Sequence, residues 1–171
     1  METPVTEKYQ DLFSPLKIGQ VQIPNRICLL AHRTNFSRNG QISERHVAYY
    51  HRRAKGGCGL IIVGELTVHP DDRPWEGVIQ VGAPEALEGL RQLTGAVHGF
   101  DTRIFAQLNH YGFQSSGAIS RKATWGPSAV SDIVFGETCK PMETEDMRVI
   151  VEAFSVAAGQ VKAAGFDGLE I

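Results

Sequence analysis

The sequence lacks the features that mark several large classes of protein. Its 171 residues hold three cysteines, Cys28, Cys58 and Cys139, and no C-x-x-C pair, so we predict neither a disulfide scaffold nor a metal site. No apolar run approaches the roughly 20 residues of a membrane helix, and the polar opening lacks the apolar middle of a secretory signal. Lys and Arg number 17 against 19 Asp and Glu, which leaves no cationic excess for nucleic acid. We therefore expect a cytoplasmic protein without membrane or nucleic-acid partners.

Short apolar runs recur along the chain at the length of β-strands. A ribbon of two short strands, Leu16–Ile18 and Val21–Ile23, is predicted first, around Gly19-Gln20. Four further strands are then predicted from runs of apolar and β-branched residues, which are typical of strands buried on both faces. These four are Ile27–Leu30, Leu60–Val63, Ile104–Gln107 and Gly168–Ile171.

Helical patterns separate these strands. The first helix is predicted from Ser43 as N-cap to Lys55, the second with Pro84 in its first turn, and the third with Thr144 as N-cap. Residues 108–142, rich in Gly, Ser and Pro, are predicted to form a loop. The third helix is predicted to bury one stripe of side chains: Met147, Ile150, Phe154, Ala157, Val161 and Ala164. Three histidines on or near helices are expected to face solvent: His46, His51 and His98.

Alternating strands and helices predict parallel strands joined by right-handed crossovers. Both a doubly wound sheet and a (β/α)8 TIM barrel fit this α/β pattern. A barrel requires the strand order 1-2-3-4, whereas strand 1 between strands 2 and 3 would indicate a doubly wound sheet. The chain ends on a strand without polar closing residues, so we expect residues 1–171 to be the N-terminal half of a barrel domain, truncated at the end of strand 4.

Several motifs occur in order from about Phe13 to Ile171. They are Leu16-Lys17-Ile18-Gly19, Pro24-Asn25-Arg26-Ile27, Tyr49-Tyr50, Gly57-x-Gly59-Leu60-Ile61-Ile62, Gln107-Leu108-x-His110-x-Gly112 and Ala164-Gly165-Phe166-Asp167-Gly168-Leu169-Glu170-Ile171. This ordered set resembles the old yellow enzyme superfamily of NADH:flavin oxidoreductases. Within it the chain is most similar to the side that includes 2,4-dienoyl-CoA reductase and trimethylamine dehydrogenase. Ala31-His32-x-Thr34-Asn35 and Glu44-Arg45-His46 are similar to a branch found with mycofactocin maturation genes.

The resemblance implies a flavoprotein: a TIM barrel that binds FMN over the carboxyl ends of its strands. It implies an oxidoreductase that transfers hydride between NAD(P)H, flavin and an activated alkene or other small substrate. The residues that complete catalysis are expected beyond Ile171, and the resemblance allows a 4Fe–4S cluster there as well. The expected partners are a small-molecule substrate and, in a homo-oligomer, further copies of the chain.

The same resemblance assigns FMN-binding residues. Backbone contacts to the flavin ring are implied for four residues after strand 1 and for Glu65 after strand 2, while Gln107 offers its side-chain amide. That amide both donates and accepts, which suits the pyrimidine edge of a flavin. The four residues after strand 1 are Leu30, Ala31, His32 and Arg33.

Other rim residues are candidates for lining the substrate site, namely Asn35, His69 and His110. Each follows or ends a predicted strand, where barrel enzymes carry their functional groups. The sequence departs from the family pattern at Ala31, where proline is usual, and at Phe113, where arginine is usual. The family's flavin-tuning Thr or Cys falls on Arg33 or Thr34, depending on a one-residue register.

Two alternatives remain open from the sequence. A metal-dependent barrel hydrolase could use His32, Glu65 and His110, although strand 1 carries one histidine and not the H-x-H pair that two ligands would need. Alternatively, the chain is a non-catalytic half-barrel fragment that associates with another half.

Overall fold

The computed structural model describes residues 8–171, so residues 1–7 of the polar opening lie outside it. Its strands, in chain order, are β1 (Leu16–Ile18), β2 (Val21–Ile23), β3 (Cys28–Leu29), β4 (Leu60–Thr67), β5 (Ile79–Gln80), β6 (Arg103–Asn109), β7 (Trp125–Gly126), β8 (Lys140–Pro141) and β9 (Gly168–Glu170). Its α-helices are α1 (Glu44–Lys55), α2 (Ala86–His98), α3 (Gly117–Ser120) and α4 (Thr144–Ala163).

The four predicted parallel strands lie side by side in one sheet, in the order β3-β4-β6-β9. The strand order 1-2-3-4 is therefore confirmed, and the doubly wound arrangement is not found. The predicted ribbon is confirmed as well, since β1 and β2 pair antiparallel. Gly19 in its turn has φ +57, a left-handed conformation that glycine adopts without steric cost.

The sheet is covered on one face by helices and on the other by the ribbon. β6 alternates, so that Ile104, Ala106 and Leu108 enter the main core with α1, α2 and α4. Phe105 points the other way and packs against a smaller cluster that contains Ile23 of the ribbon. Such alternation places polar positions such as Gln107 on the inner face.

Helix boundaries were predicted well for α1 and less well for the others. Ser43 caps α1 as expected. Pro84 lies before α2, in a turn where the amide of Ala86 donates to the carbonyl of Ala83 at 3.0 Å. Thr144 is the first residue of α4 and not its cap, because Asp146 Oδ2 accepts the amide of Glu143 at 2.9 Å and begins the helix one residue earlier. Within residues 8–171, no helix is long and apolar enough to cross a membrane.

The predicted buried stripe of α4 holds only along its second half. Ala157, Val161 and Ala164 are buried, whereas Met147 is 47% exposed. The apolar contacts of α4 with the core come from its second half, which packs beside α2 and β6. Ile150 and Phe154 are only half-buried, so the sequence periodicity overestimated the buried length.

The prediction that His46 faces solvent is wrong, because its side chain is fully buried. Nδ1 of His46 accepts the amide of Ser43 at 3.1 Å, which closes a capping box at the start of α1. Nε2 must then carry the proton and donate to Thr34 Oγ1, 3.0 Å away. Burial lowers the pKa of His46 to about 4, so the ring is neutral at physiological pH. His51 and His98 are exposed, as predicted.

Residues 108–142 are more ordered than the predicted loop. They contain α3, a 3-10 turn at Gly112–Gln114 and the parallel pair β7 and β8. Glu137 holds the start of α3, accepting the amides of Gly117 and Ala118 at 2.6 and 3.2 Å. These pairings join residues 12 or more positions apart, which local turn signals do not reveal.

Candidate functional site

The carboxyl ends of β3, β4 and β6 meet at one edge of the sheet. The β4–β6 register shifts between Val63 and Leu66, so Gly64 and Glu65 lie in a bulge outside the regular ladder. Bulges of this kind re-aim side chains beside functional sites. The bulge explains why β4 extends to Thr67 and not to Val63 as predicted.

Gly64 lies in close contact with the side chains of Ala31 and Gln107. A Cβ at this position would lie 2.7 Å from Ala31 Cβ and 2.7 Å from Gln107 Oε1, too close for any side chain. The segment after β3, the bulge of β4 and the side chain of Gln107 therefore form one continuous surface. Leu30 adds an apolar side chain to this edge and is 68% exposed.

Gln107 is oriented by a neighbour that the sequence analysis missed. Its Nε2 donates to Glu170 Oε1 at 2.8 Å, and the two residues are paired in register on β6 and β9. An ionised carboxylate only accepts hydrogen bonds, so the amide nitrogen must face Glu170 and Oε1 must face Gly64. Strand alternation places Glu170 on the same face of the sheet as Gln107, but the register that pairs them is seen only in the structure.

Glu65 is a half-buried acid without a hydrogen-bonding partner. Among residues 8–171, none pairs with its buried Oε2. Burial raises the pKa of Glu65, and the nearby charge of Arg33 only partly opposes this rise. An unpaired carboxylate is costly to bury, so this atom is available to a bound group.

Arg33 and Asn35 border the same small cavity as Glu65. The Arg33 guanidinium lies over the ring of Trp75, 3.7 Å from its centroid. Asn35 has φ 53 and its backbone packs against Gly77, where a Cβ would lie 2.7 Å from the Asn35 carbonyl oxygen. Arg33 and Asn35 therefore lie with Glu65 at an opening beside the strand ends, which we call the mouth.

His32 points away from the strand ends, and both of its ring nitrogens are engaged. Nδ1 lies 3.1 Å from the Leu30 carbonyl, so it carries the proton, and Nε2 accepts from the Tyr49 hydroxyl at 2.8 Å. Only the backbone of His32 remains for a ligand.

His69 and His110 form a separate group, with ring centroids 6.3 Å apart. Burial lowers the pKa of His110 to about 4, with a smaller contribution from His69, and burial also lowers the pKa of His69. They line a cavity with Asp72, a buried residue absent from the sequence prediction, whose Oδ2 accepts the Tyr111 amide at 2.8 Å. Burial raises the pKa of Asp72 to about 7.

The structure thus divides the predicted residues into two groups. Arg33, Asn35, Glu65 and Gln107 border the strand ends, while His69 and His110 lie across the loops that follow. Over the described residues 8–171, no three His, Cys, Asp or Glu side chains come close enough to hold a metal ion. His32, Glu65 and His110 are therefore not brought together as the ligand set of a hydrolase.

Residues 11–171 match the family model described as the NADH:flavin oxidoreductase / NADH oxidase family. The chain is 34% identical to a metal reductase of Desulforamulus reducens, over 94% of its length and 24% of that protein. It is 32% identical to an N,N-dimethylglycine/sarcosine dehydrogenase of Chromohalobacter salexigens, over 95% of its length and 24% of that protein. An NADPH dehydrogenase of Bacillus subtilis is 32% identical over 94% of the chain and 47% of that protein. The chain spans about a quarter of the first two relatives and about half of the third.

Solved structures show the same architecture. A 2-naphthoyl-CoA reductase in complex with 2-naphthoyl-CoA superposes with a TM-score of 0.89 at 26% identity, over 94% of this chain and 27% of that one. Morphinone reductase gives a TM-score of 0.84 at 26% identity, over 92% of this chain and 46% of that one. The predicted fold class, an α/β chain that forms part of a TIM barrel, is confirmed.

Proposed function

The chain belongs to the NADH:flavin oxidoreductase / NADH oxidase family, and from that premise we propose that it carries the FMN ring platform of an oxidoreductase. The proposed reaction moves hydride between NAD(P)H and an activated alkene or other small substrate. FMN, when bound, supplies the hydride chemistry, while the protein supplies position and electrostatics.

The residues at the strand ends fit a flat ring with an apolar face and a polar edge. Gly64 lets Ala31 and the Gln107 amide meet without an intervening side chain, and Leu30 presents apolar surface beside them. This convergence on a glycine is the single observation that carries the proposal. A side chain at position 64 would collide with Ala31 and with the Gln107 amide and would displace them from the strand ends.

Each residue then has a distinct proposed task. The backbone from Leu30 to Arg33 and at Glu65 would border the ring. Gln107 would accept a hydrogen bond at Oε1, while Glu170 holds its Nε2. Asn35, His69 and His110 are proposed to line the approach of the substrate; His110 would do so as a neutral ring at physiological pH, since its pKa is about 4.

The complete protein is proposed to be a cytoplasmic homo-oligomer in which this chain forms the first half of the barrel domain. The matched region makes up 24% of two of its relatives, and we propose that the groups that complete catalysis, and any 4Fe–4S cluster, lie beyond Ile171. Iron and acid-labile sulfide assays on the purified protein test the cluster, and a size measurement tests the oligomer.

Purification of the complete protein tests the main proposal. We expect visible flavin absorption, release of FMN on heat denaturation, and oxidation of NADH or NADPH when an activated alkene is added. A protein that is purified without flavin and does not take up added FMN would overturn the proposal.

A further inference from the structure

We infer that Arg33 is the anion-binding residue of this site and that the substrate is a small carboxylate. This inference rests on the proposed function for the position of the flavin, and it deepens that function by naming a substrate class. Its basis is a guanidinium held in a fixed position at the mouth, whose N–H groups form no hydrogen bond with residues 8–171.

The Arg33 guanidinium is stacked on an aromatic face. Its central carbon lies 3.7 Å from the centroid of the Trp75 ring, and Trp75 in turn packs edge-on against Tyr111 at 5.2 Å. Stacking uses the face of the guanidinium and leaves the N–H groups in its plane free. A planar fork of donors held in this way matches the two oxygens of a carboxylate.

The loop that carries Trp75 is fixed to the segment that carries Arg33. Ser37 donates from its amide to the Gly77 carbonyl at 3.3 Å and from its hydroxyl to the Val78 carbonyl at 2.6 Å. The amide of Gln80 donates to the Gly40 carbonyl at 2.9 Å. Three hydrogen bonds thus hold the two loops together, so the stack is preorganised before a ligand arrives.

The ordinary explanation for an arginine at such a rim is an ion pair with a neighbouring acid. The charge of Arg33 acts on the carboxyl group of Glu65 and lowers its pKa. Arg33 nevertheless forms no ion pair or side-chain hydrogen bond with any of residues 8–171. Arg73, by comparison, pairs with Glu76 at 3.2 Å. Arg33 is therefore exposed, oriented and unpartnered at the mouth.

Charge favours a carboxylate over a phosphate at this position. Glu65 borders the same cavity as Arg33, and when ionised it repels a dianion more strongly than a monoanion. Arg33 is also the last residue of the backbone proposed to border the flavin, so an anion held by its side chain lies close to the ring and can belong to a short molecule. A short organic acid meets both conditions.

Benzoate and benzamide test the inference, since they have the same shape and differ in charge. Calorimetric titration of the complete protein is expected to show benzoate binding roughly tenfold more tightly than benzamide. Arg33→Met should remove that preference and leave benzamide binding unchanged. Arg33→Lys, which keeps the charge without the planar fork, should retain only part of it. Arg52→Met is the matched control, because Arg52 is exposed on α1 and its side chain forms no hydrogen bond with residues 8–171.

The outcomes separate this inference from the proposed function. Equal binding of benzoate and benzamide, or an equal loss of both in Arg33→Met, overturns the carboxylate assignment. Tighter binding of phenyl phosphate than of benzoate overturns it in favour of a phosphate group. A protein without flavin refutes the proposed function instead, and calorimetry still decides the role of Arg33, because the titration does not depend on flavin absorption.

Discussion

At the scale of single residues, Gln107 shows how a neighbour sets the direction of an amide. Because Glu170 occupies its nitrogen side, Oε1 is the atom presented beside Gly64. We predict that Gln107→Ala in the complete protein weakens FMN binding by roughly tenfold, since a ring edge loses a partner worth ~1–3 kcal/mol. A fluorescence titration with FMN measures the change.

Gln92→Ala is the matched control for this experiment. Gln92 also donates to a glutamate, Glu88, at 3.1 Å, but on the exposed face of α2. Its replacement should leave FMN affinity unchanged. Equal affinities for the wild type and Gln107→Ala would show that Gln107 only packs.

Glu170 should affect the flavin through both charge and orientation. Glu170→Gln keeps an acceptor for Gln107 but removes a negative charge, so the flavin midpoint potential should become more positive with little change in FMN affinity. Glu170→Ala loses the acceptor as well, and both properties should change. Spectroelectrochemical titration measures the potential, and Glu88→Gln provides a control in a similar pair on α2. An unchanged potential in Glu170→Gln would mean that this carboxylate lies too far from the ring.

At the scale of elements, the buried His46 makes the start of α1 sensitive to pH. Its pKa is about 4 in the folded chain against 6.5 for an ordinary histidine, so below about pH 6.5 protons bind preferentially to the unfolded chain. Above that pH, titration of His46 does not lower the free energy of unfolding. As the pH falls from about 6.5 towards 4, it lowers the free energy of unfolding by up to about 3 kcal/mol.

We therefore predict that His46→Gln reduces the fall in thermal midpoint between about pH 7.5 and about pH 5. Glutamine at this position can still accept from the Ser43 amide, as in other capping boxes. His51→Gln, on the exposed side of the same helix, should retain the full pH dependence. A His46→Gln protein whose midpoint falls as steeply as that of the wild type would contradict the buried-histidine explanation.

The elements also show what sequence reasoning can and cannot reach. Continuous apolar runs located β4 and β6 because burial on both faces requires such residues. The end of β4 was missed because Gly64 and Glu65 interrupt the run, although they remain in the strand as a bulge. His46 was misjudged because its second partner, Thr34, lies 12 residues away in the irregular segment after β3. The Ser43 to His46 spacing was a capping signal that could have suggested burial.

The candidate site was likewise predictable from the sequence only in part. Position at the end of a strand was enough to place Arg33, Glu65 and Gln107 at one edge. The stack on Trp75 and the pairing with Glu170 depend on loop conformation and register, which no local pattern reveals. The FMN and substrate roles of these residues stay predictions.

At the scale of the whole molecule, the sheet of the described residues 8–171 has two open edges: β3 and β5 lie along one, both paired with β4, and β9 forms the other. Apolar side chains are exposed near them, including Leu30 at 68% and Leu169 at 40%. Unpaired edges and apolar patches favour association. We predict that the 171-residue chain expressed alone self-associates and binds FMN more weakly than micromolar.

Light scattering and a fluorescence titration with FMN check this prediction. The complete protein is the reference, because it offers the same strand ends in its own context. A monomeric 171-residue chain that binds FMN with sub-micromolar affinity would contradict the prediction and show that this chain holds the cofactor unaided.

The two tryptophans of the chain lie in the segments that follow β4 and β6, one beside each group of candidate residues. Trp75 is under Arg33, and Trp125 lies 5.2 Å from the ring of His69. The sheet and the long helices contain none, so they contribute no indole signal from this chain. Fluorine-labelled tryptophan would give two resonances, one from each side of the substrate approach, and Trp125→Phe would assign them. The candidate site therefore contains two natural spectroscopic probes, which can report ligand binding by fluorescence or by NMR without any reaction.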